Sequence, residues 1–272
     1  MTEPQLTYYP LGEGVTAFST TRHGGFSRGN YGEFNVNRYC GDAPEAIRQN
    51  RRLLSLKLGV TDDRIVMPHQ VHGVQIRKVT LGFLYASADE QTARLEGVDA
   101  LMTNVHGVCI GVSTADCIPI IIYDPQHEAV CAVHAGWRGT VQRIAREATL
   151  AMITEYGSNP SQLQVVIGPG ISMEAFEVGD EVYDAFANAR FPMEDVARRM
   201  AAMDGSPVEK WHIDLWACNR LQLQAVGVLP EHIHVSGICT WQHCDDYFSA
   251  RRLGIHSGRI LTAALLHEPK AK

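Results

Sequence analysis

A chain of 272 residues is long enough for one large domain or two ordinary ones, with ample length to bury a core. Its 24 Lys and Arg against 30 Asp and Glu leave a net charge of −6, which excludes nucleic acid or an anionic membrane as the main partner, because both demand concentrated positive charge. A small molecule is the expected partner.

In chain order, Gly14 to Thr21 reads as a strand followed by a glycine-rich turn from His23 to Gly32, and Pro44 to Leu58 reads as a helix with Asp42 as its N-cap. Pro68 to Gly73 forms a turn before an alternating strand, Val74 to Val79. Gly82 to Glu96 has the weakest pattern and is expected as an exposed loop or weak helix, with the position of a lid. Gly107 to Ser113, Ile118 to Tyr123 and Ala129 to His134 are β-branched runs separated by short turns. The apolar stretch containing the first two is broken by Ser113, Thr114, Asp116 and Pro119, so it does not span a bilayer as one helix.

Further along, Thr140 can cap a helix from Val141 to Tyr156, whose apolar residues recur at helical spacing. A strand at Leu163 to Ile167, helices at Asp180 to Asn188 and Asp214 to Val226, a strand at Ile233 to Cys239 and a final segment, Arg259 to Leu266, of either type complete the pattern. Runs of strands with helices between them predict an α+β fold, a single domain over 1–272 of mixed β-sheets flanked by helices. Seven cysteines without regular spacing fit reduced thiols, and Met1 to Pro10 lacks a cationic segment followed by an apolar run; the cytoplasm is the expected location.

His72, Cys117 and His134 each lie at or beside a turn that ends an apolar run, and they read as three soft metal ligands gathered from separate strands. Three protein ligands are what a catalytic zinc uses when the fourth position is left for water or substrate. The flanking residues add to this. His69 lies three positions before His72, Asp116 adjoins Cys117 in a connection where an unpaired carboxylate is costly, and Gly136-Trp137-Arg138-Gly139 follows His134 with an aromatic face and a guanidinium. Arg22 before Gly24-Gly25 and Arg51 in Asn50-Arg51-Arg52 are further anion contacts, although each has a plain reading as a turn or a solvated helix face.

These segments resemble the YfiH-like laccase-domain proteins, also called the polyphenol oxidase or purine nucleoside phosphorylase family. The resemblance runs nearly end to end, through Thr20-Thr21-Arg22, His69-Gln70-Val71-His72-Gly73, Thr114-Ala115-Asp116-Cys117-Ile118-Pro119, His134-Ala135-Gly136-Trp137-Arg138-Gly139, Gly168-Pro169, Ser249-Ala250-Arg251-Arg252 and Gly258-Arg259. It implies a YfiH-like α+β fold, a zinc site at His72, Cys117 and His134, phosphorolysis of adenosine, inosine, guanosine and methylthioadenosine, and adenosine deamination. It also carries an older copper-oxidase assignment. Two departures bear on substrate contacts: Glu33-Phe34 precedes Asn35 where the family usually has serine-leucine, and Ala250 stands where it has an aromatic residue.

On that reading purine nucleosides and phosphate are the ligands, Arg22, Arg51 and Arg138 are candidates to clamp phosphate, and His69 or Asp116 is the proton shuttle, with Cys117 at the reacting centre. Three alternatives stay open: copper in place of zinc, a metal-free cysteine hydrolase with Cys117 activated by His134, and a metal-binding protein without catalysis. Multicopper chemistry asks for many His-x-His pairs, and His232-Ile233-His234 is the one such spacing here. The sequence does not specify the oligomeric state.

Overall fold

The computed structural model describes residues 3–268, so residues 1–2 and 269–272 of the expected single domain lie outside it. The run Ile118–Asp124 is buried at every position and forms strand β7. It lies within a six-stranded mixed sheet whose order is β13 (Ile233–Val235), β9 (Gln164–Ile167), β7, β8 (Ala129–Ala135), β5 (Ala100–Thr103) and β4 (Ile76–Lys78). A second, five-stranded mixed sheet has the order β1 (Leu6–Tyr9), β2 (Val15–Thr20), β14 (Ile260–Leu266), β6 (Cys109–Thr114) and β3 (Ile65–Val66).

Alternation along β7 explains the layering. Ile118, Ile120 and Ile122 pack on one face with Ala145, Ala148 and Met152 of α5 (Ile144–Tyr156) and Leu223 of α8 (Leu215–Ala225). Ile121 and Tyr123 point the other way, against Val15, Ala17, Ile110 and Val112 of the second sheet. On that sheet's outer face, Leu54 of α1 (Pro44–Leu58) covers Phe18, Phe34 and Leu261. Each of these isoleucines contributes about 1.5–3 kcal/mol by burial, and truncating one to Ala costs roughly 2–5 kcal/mol because the neighbours cannot fully close the gap. A smaller antiparallel sheet, β10 (Glu177–Val178), β12 (Glu209–Ile213) and β11 (Ala197–Ala201), is inserted in sequence between β9 and β13 and pairs with neither large sheet.

The mixed sheets flanked by helices agree with the α+β expectation, and the ambiguous segment after Arg259 is a central strand, β14. Several details differ. Asp42 does not cap α1: Ala43 holds that position with Pro44 following, while the Asp42 carboxylate accepts from Ser27 Oγ at 2.6 Å and Asn35 Nδ2 at 2.9 Å. The weakly patterned 82–96 segment contains two helices, α2 (Leu81–Leu84) and α3 (Ala88–Leu95), the second started by a reciprocal Ser87–Glu90 capping box. The helix expected over 141–156 starts at Ile144 as α5, set off by Arg143 at φ +67° from a separate short helix, α4 (Trp137–Val141). Remaining helices are α6 (Asp180–Asn188), α7 (Met193–Val196) and α9 (Ala250–Leu253). Among the described residues no helix is long and apolar enough to cross a membrane, and all seven cysteines are free.

Candidate active site

The chain crosses between the two large sheets on the β3–β4 and β6–β7 connections, which carry two of the candidate ligands, and the third stands at the end of β8. The turn after β3 carries His69 to Gly73 toward β4, and the tight connection from β6 to β7 carries Asp116 and Cys117. His134 is the penultimate residue of β8, in register with Pro119 of β7. Gln70 fastens the first turn to β6 as a strand would: its Nε2 donates to the Ser113 carbonyl and its Oε1 accepts from the Ser113 amide, both at 2.8 Å. Asp116 takes φ +88°, which turns the following residue inward.

As a result the ligand atoms of His72, Cys117 and His134 lie within 4.8 Å of one another. Such spacing suits a single ion with bonds of about 2.0–2.3 Å. The donor set fits zinc: one thiolate and two imidazoles, with His134 Nδ1 held 2.8 Å from the Asp99 carboxylate, so that its Nε2 lone pair is the one free to ligate. The convergence also requires Gly136, because a Cβ there would stand 2.8 Å from His72 Cδ2 and 3.1 Å from Cys117 Sγ.

The three groups polarise one another. Burial pushes the Cys117 thiol up, but His134 and His72 outweigh it and bring it down to about 6. Burial pulls His134 down, and the Cys117 thiolate and Asp99 outweigh it and raise it to about 9. A thiolate at neutral pH is the state a metal ligand or a nucleophile needs.

The three ligands open into a cavity of about 250 Å³ that His69, Gln70, Ser113, Thr114, Asn37, Tyr39 and Arg259 also line. His69 stacks on Tyr39 with ring centroids 4.3 Å apart, and its Nδ1 bonds Glu96 at 2.8 Å. Ser113 and Thr114 bury hydroxyls that have no hydrogen-bond partner among the described residues.

Ala250, the position where the family has an aromatic residue, also lines this cavity, whereas Asp116, Arg22, Arg51 and Arg138 do not. Asp116 turns its carboxylate away, accepting from Thr240 Oγ1 at 2.7 Å and from the Arg251 amide at 2.6 Å. Arg22 donates to the Gly32 and Cys244 carbonyls at 2.9 and 2.7 Å. Arg51 is buried against Asp62, 2.7 Å away, beside a separate cavity of about 240 Å³. Arg138 is exposed and lies over the Trp137 ring at 4.2 Å. Gln70 and Arg259 stand in the sequence motifs without a role of their own, Gly136 stands there as a glycine that admits a ligand, and Asp99 and Glu96 are outside the motifs altogether. An acid opening the apolar strand Ala100–Thr103 was the available signal for Asp99.

Residues 16–267 match a family model described as multi-copper polyphenol oxidoreductase laccase. The chain is 43% identical over 254 residues to a purine nucleoside phosphorylase of Bacteroides thetaiotaomicron, covering 93% of this chain and 92% of that one. It is 44% identical over 250 residues to an adenosine deaminase from an unknown prokaryotic organism, covering 92% and 93%. Among solved structures, YlmD from Geobacillus stearothermophilus aligns with a TM-score of 0.84 at 35% identity, over 96% of this chain and 94% of that one.

Proposed function

The chain belongs to the YfiH-like laccase-domain family, and from that premise we propose that it is a zinc-dependent purine nucleoside phosphorylase, acting on adenosine, inosine, guanosine and methylthioadenosine, that also deaminates adenosine. The observation that carries this reading is the convergence of His72, Cys117 and His134 in one cavity with a carboxylate-held histidine and a guanidinium. The relatives, a purine nucleoside phosphorylase and an adenosine deaminase, supply the substrate class. We place the protein in the cytoplasm, in keeping with its free thiols.

When bound at these ligands, zinc supplies Lewis acidity at one open position. The chain's own residues do the rest. Glu96 holds His69 Nδ1, which orients the imidazole and makes its other nitrogen the proton carrier for the departing purine. Arg259 offers positive charge to phosphate, and its guanidinium is fixed by donation to the Ser257, Gly258 and Ile255 carbonyls at 2.6–3.0 Å.

Two observations favour other readings. Cys117, His134 and Asp99 form a nucleophile, base and orienting acid in sequence, as a cysteine hydrolase would use them, with Asp99 in the place first given to Asp116. Copper is the metal named by the matching family model; among the described residues, however, the one group of three or more candidate ligands is His72, Cys117 and His134, fewer than a multicopper arrangement requires. Metal analysis of protein purified without added metal, followed by incubation with adenosine and chromatography, separates these. One zinc per chain, adenine formed with phosphate and inosine formed without it are expected; neither product would overturn the reading.

A further inference from the structure

Asp99 makes an unusual set of contacts for one side chain. It is fully buried immediately before β5, far in sequence from the turn it touches. One carboxylate oxygen accepts from the His72 amide at 2.9 Å and lies 2.8 Å from His134 Nδ1; the other accepts from the Gly73 amide at 2.7 Å and the Val71 amide at 3.3 Å. Three consecutive amides can converge on one anion only when the backbone curls, and His72 provides the curl with φ +64°. A histidine in that conformation is uncommon and is held there by its surroundings. The main chain around Asp99 closes the same knot, since its carbonyl accepts from the His134 amide at 2.8 Å and its amide donates to the Gln75 carbonyl at 2.9 Å.

We propose that Asp99 is the positioning residue of the metal site, a single buried carboxylate that fixes two of its three ligands at once: the ring orientation and tautomer of His134, and the backbone that aims His72. This rests on the three-ligand reading given above and deepens it. Cys117 arrives on the β6–β7 connection without touching Asp99, so the carboxylate brings the two histidines to the thiolate.

The isosteric change Asp99→Asn tests this sharply, because a carboxamide has one acceptor oxygen and one NH2. If the NH2 replaces the oxygen that faces the Val71 and Gly73 amides, it repels them and the turn opens. If it replaces the oxygen shared by the His72 amide and His134, it repels that amide and donates to Nδ1, so the ring proton moves to Nε2 and the lone pair needed for the metal is lost. Either orientation releases one histidine.

The experiment uses metal-free full-length protein titrated with zinc against a chromogenic chelator, and with cobalt(II) followed by its visible absorption. Asp99→Asn is expected to weaken zinc binding roughly 10–100-fold and to change the cobalt d–d bands, which report coordination geometry and which a loss confined to stability would not move. In wild-type metal-free protein the amides of Val71, His72 and Gly73 are expected to resist hydrogen exchange, a measurement that does not depend on the variant folding. Wild-type affinity and spectrum in a folded Asp99→Asn protein, or unprotected amides at 71–73 in the wild type, would overturn the assignment of Asp99 while leaving the metal site intact. Failure of wild-type protein to bind either metal would overturn both.

Discussion

Cys117 and His134 move each other's protons in opposite directions, the thiol brought down to about 6 and the imidazole raised to about 9. Burial alone would neutralise both groups, so the charged pair exists because each stabilises the other and His72 and Asp99 add to it. The thiolate is the form in which Cys117 acts either as a metal ligand or as a nucleophile, and a metal at this site would take the place of the proton on His134 Nε2.

The first prediction is a pH profile. In metal-free protein, alkylation of Cys117 should rise with pH through a midpoint near 6 and level off above it, because the reactive thiolate is fully formed there while an ordinary thiol is still protonated. Zinc should suppress the reaction. His134→Ala removes the largest opposing influence while burial remains, so the midpoint should move upward. The rate is read with iodoacetamide against a Cys117→Ala control; a wild-type midpoint near 8 or 9 would contradict the geometry. A rate unaffected by zinc, with turnover lost in Cys117→Ala and metal retained, would favour the hydrolase reading.

Gly136→Ala should empty the site without unfolding the protein. Gly136 has φ −66° and ψ 167°, an ordinary conformation for alanine, so the backbone bears no penalty. The added Cβ instead meets His72 Cδ2 at 2.8 Å and Cys117 Sγ at 3.1 Å, closer than such atoms approach, and displaces a ligand. Bound zinc by elemental analysis should drop at least about tenfold, in the range seen when the support of a metal ligand is lost, with Tm nearly unchanged. Full zinc content would show that the ligands converge elsewhere.

Asp116 separates a structural role from a catalytic one. Its carboxylate accepts from Thr240 and the Arg251 amide, and its backbone sits at φ +88°. Asp116→Ala should lower stability by about 1–3 kcal/mol through the abandoned partners. Asp116→Asn should recover much of the turnover, since asparagine tolerates a left-handed backbone and keeps an acceptor. Were Asp116 the proton shuttle, Asp116→Asn would be as inactive as Asp116→Ala at equal folded fraction.

How much of this was legible beforehand depended on range. The strands β6, β7 and β8 announced themselves as β-branched runs, and the ligands at their ends followed from residue type and turn position. The helix over 44–58 was equally plain from its periodicity. Asp42 was misread because a capping residue and a residue that ties Ser27 to Asn35 look alike in one dimension. β3 and β10 were invisible because each is two residues long and owes its existence to partners such as Cys109–Ile110 and Trp211–His212. The roles of the arginines were lost for the same reason. Arg22, Arg51 and Arg138 adjoin glycines or other cations in sequence, yet only the folded chain reveals that all three lie away from the cavity, Arg22 and Arg51 tied to carbonyls elsewhere and Arg138 stacked on its neighbour, while Arg259 lines it.

That distribution of cations gives the last prediction. Arg259 lines the metal cavity, whereas Arg22, Arg51 and Arg138 do not, so Arg259→Ala should weaken the use of phosphate while largely sparing adenosine deamination, which needs no anion clamp. A guanidinium-to-phosphate contact of the charge-assisted kind contributes about 1.5–3 kcal/mol, so KM for phosphate should rise roughly 10–100-fold. Arg138→Ala, exposed and outside the cavity, should leave the phosphate dependence unchanged. Arg51→Ala should instead lower Tm, because it removes a buried guanidinium bonded to the Asp62 and Ile65 carbonyls at 3.1 and 3.0 Å. Both activities measured across a phosphate series in each single variant decide the matter: wild-type phosphate dependence in Arg259→Ala, with loss in Arg138→Ala or Arg22→Ala, would return the clamp to the residues first singled out from sequence.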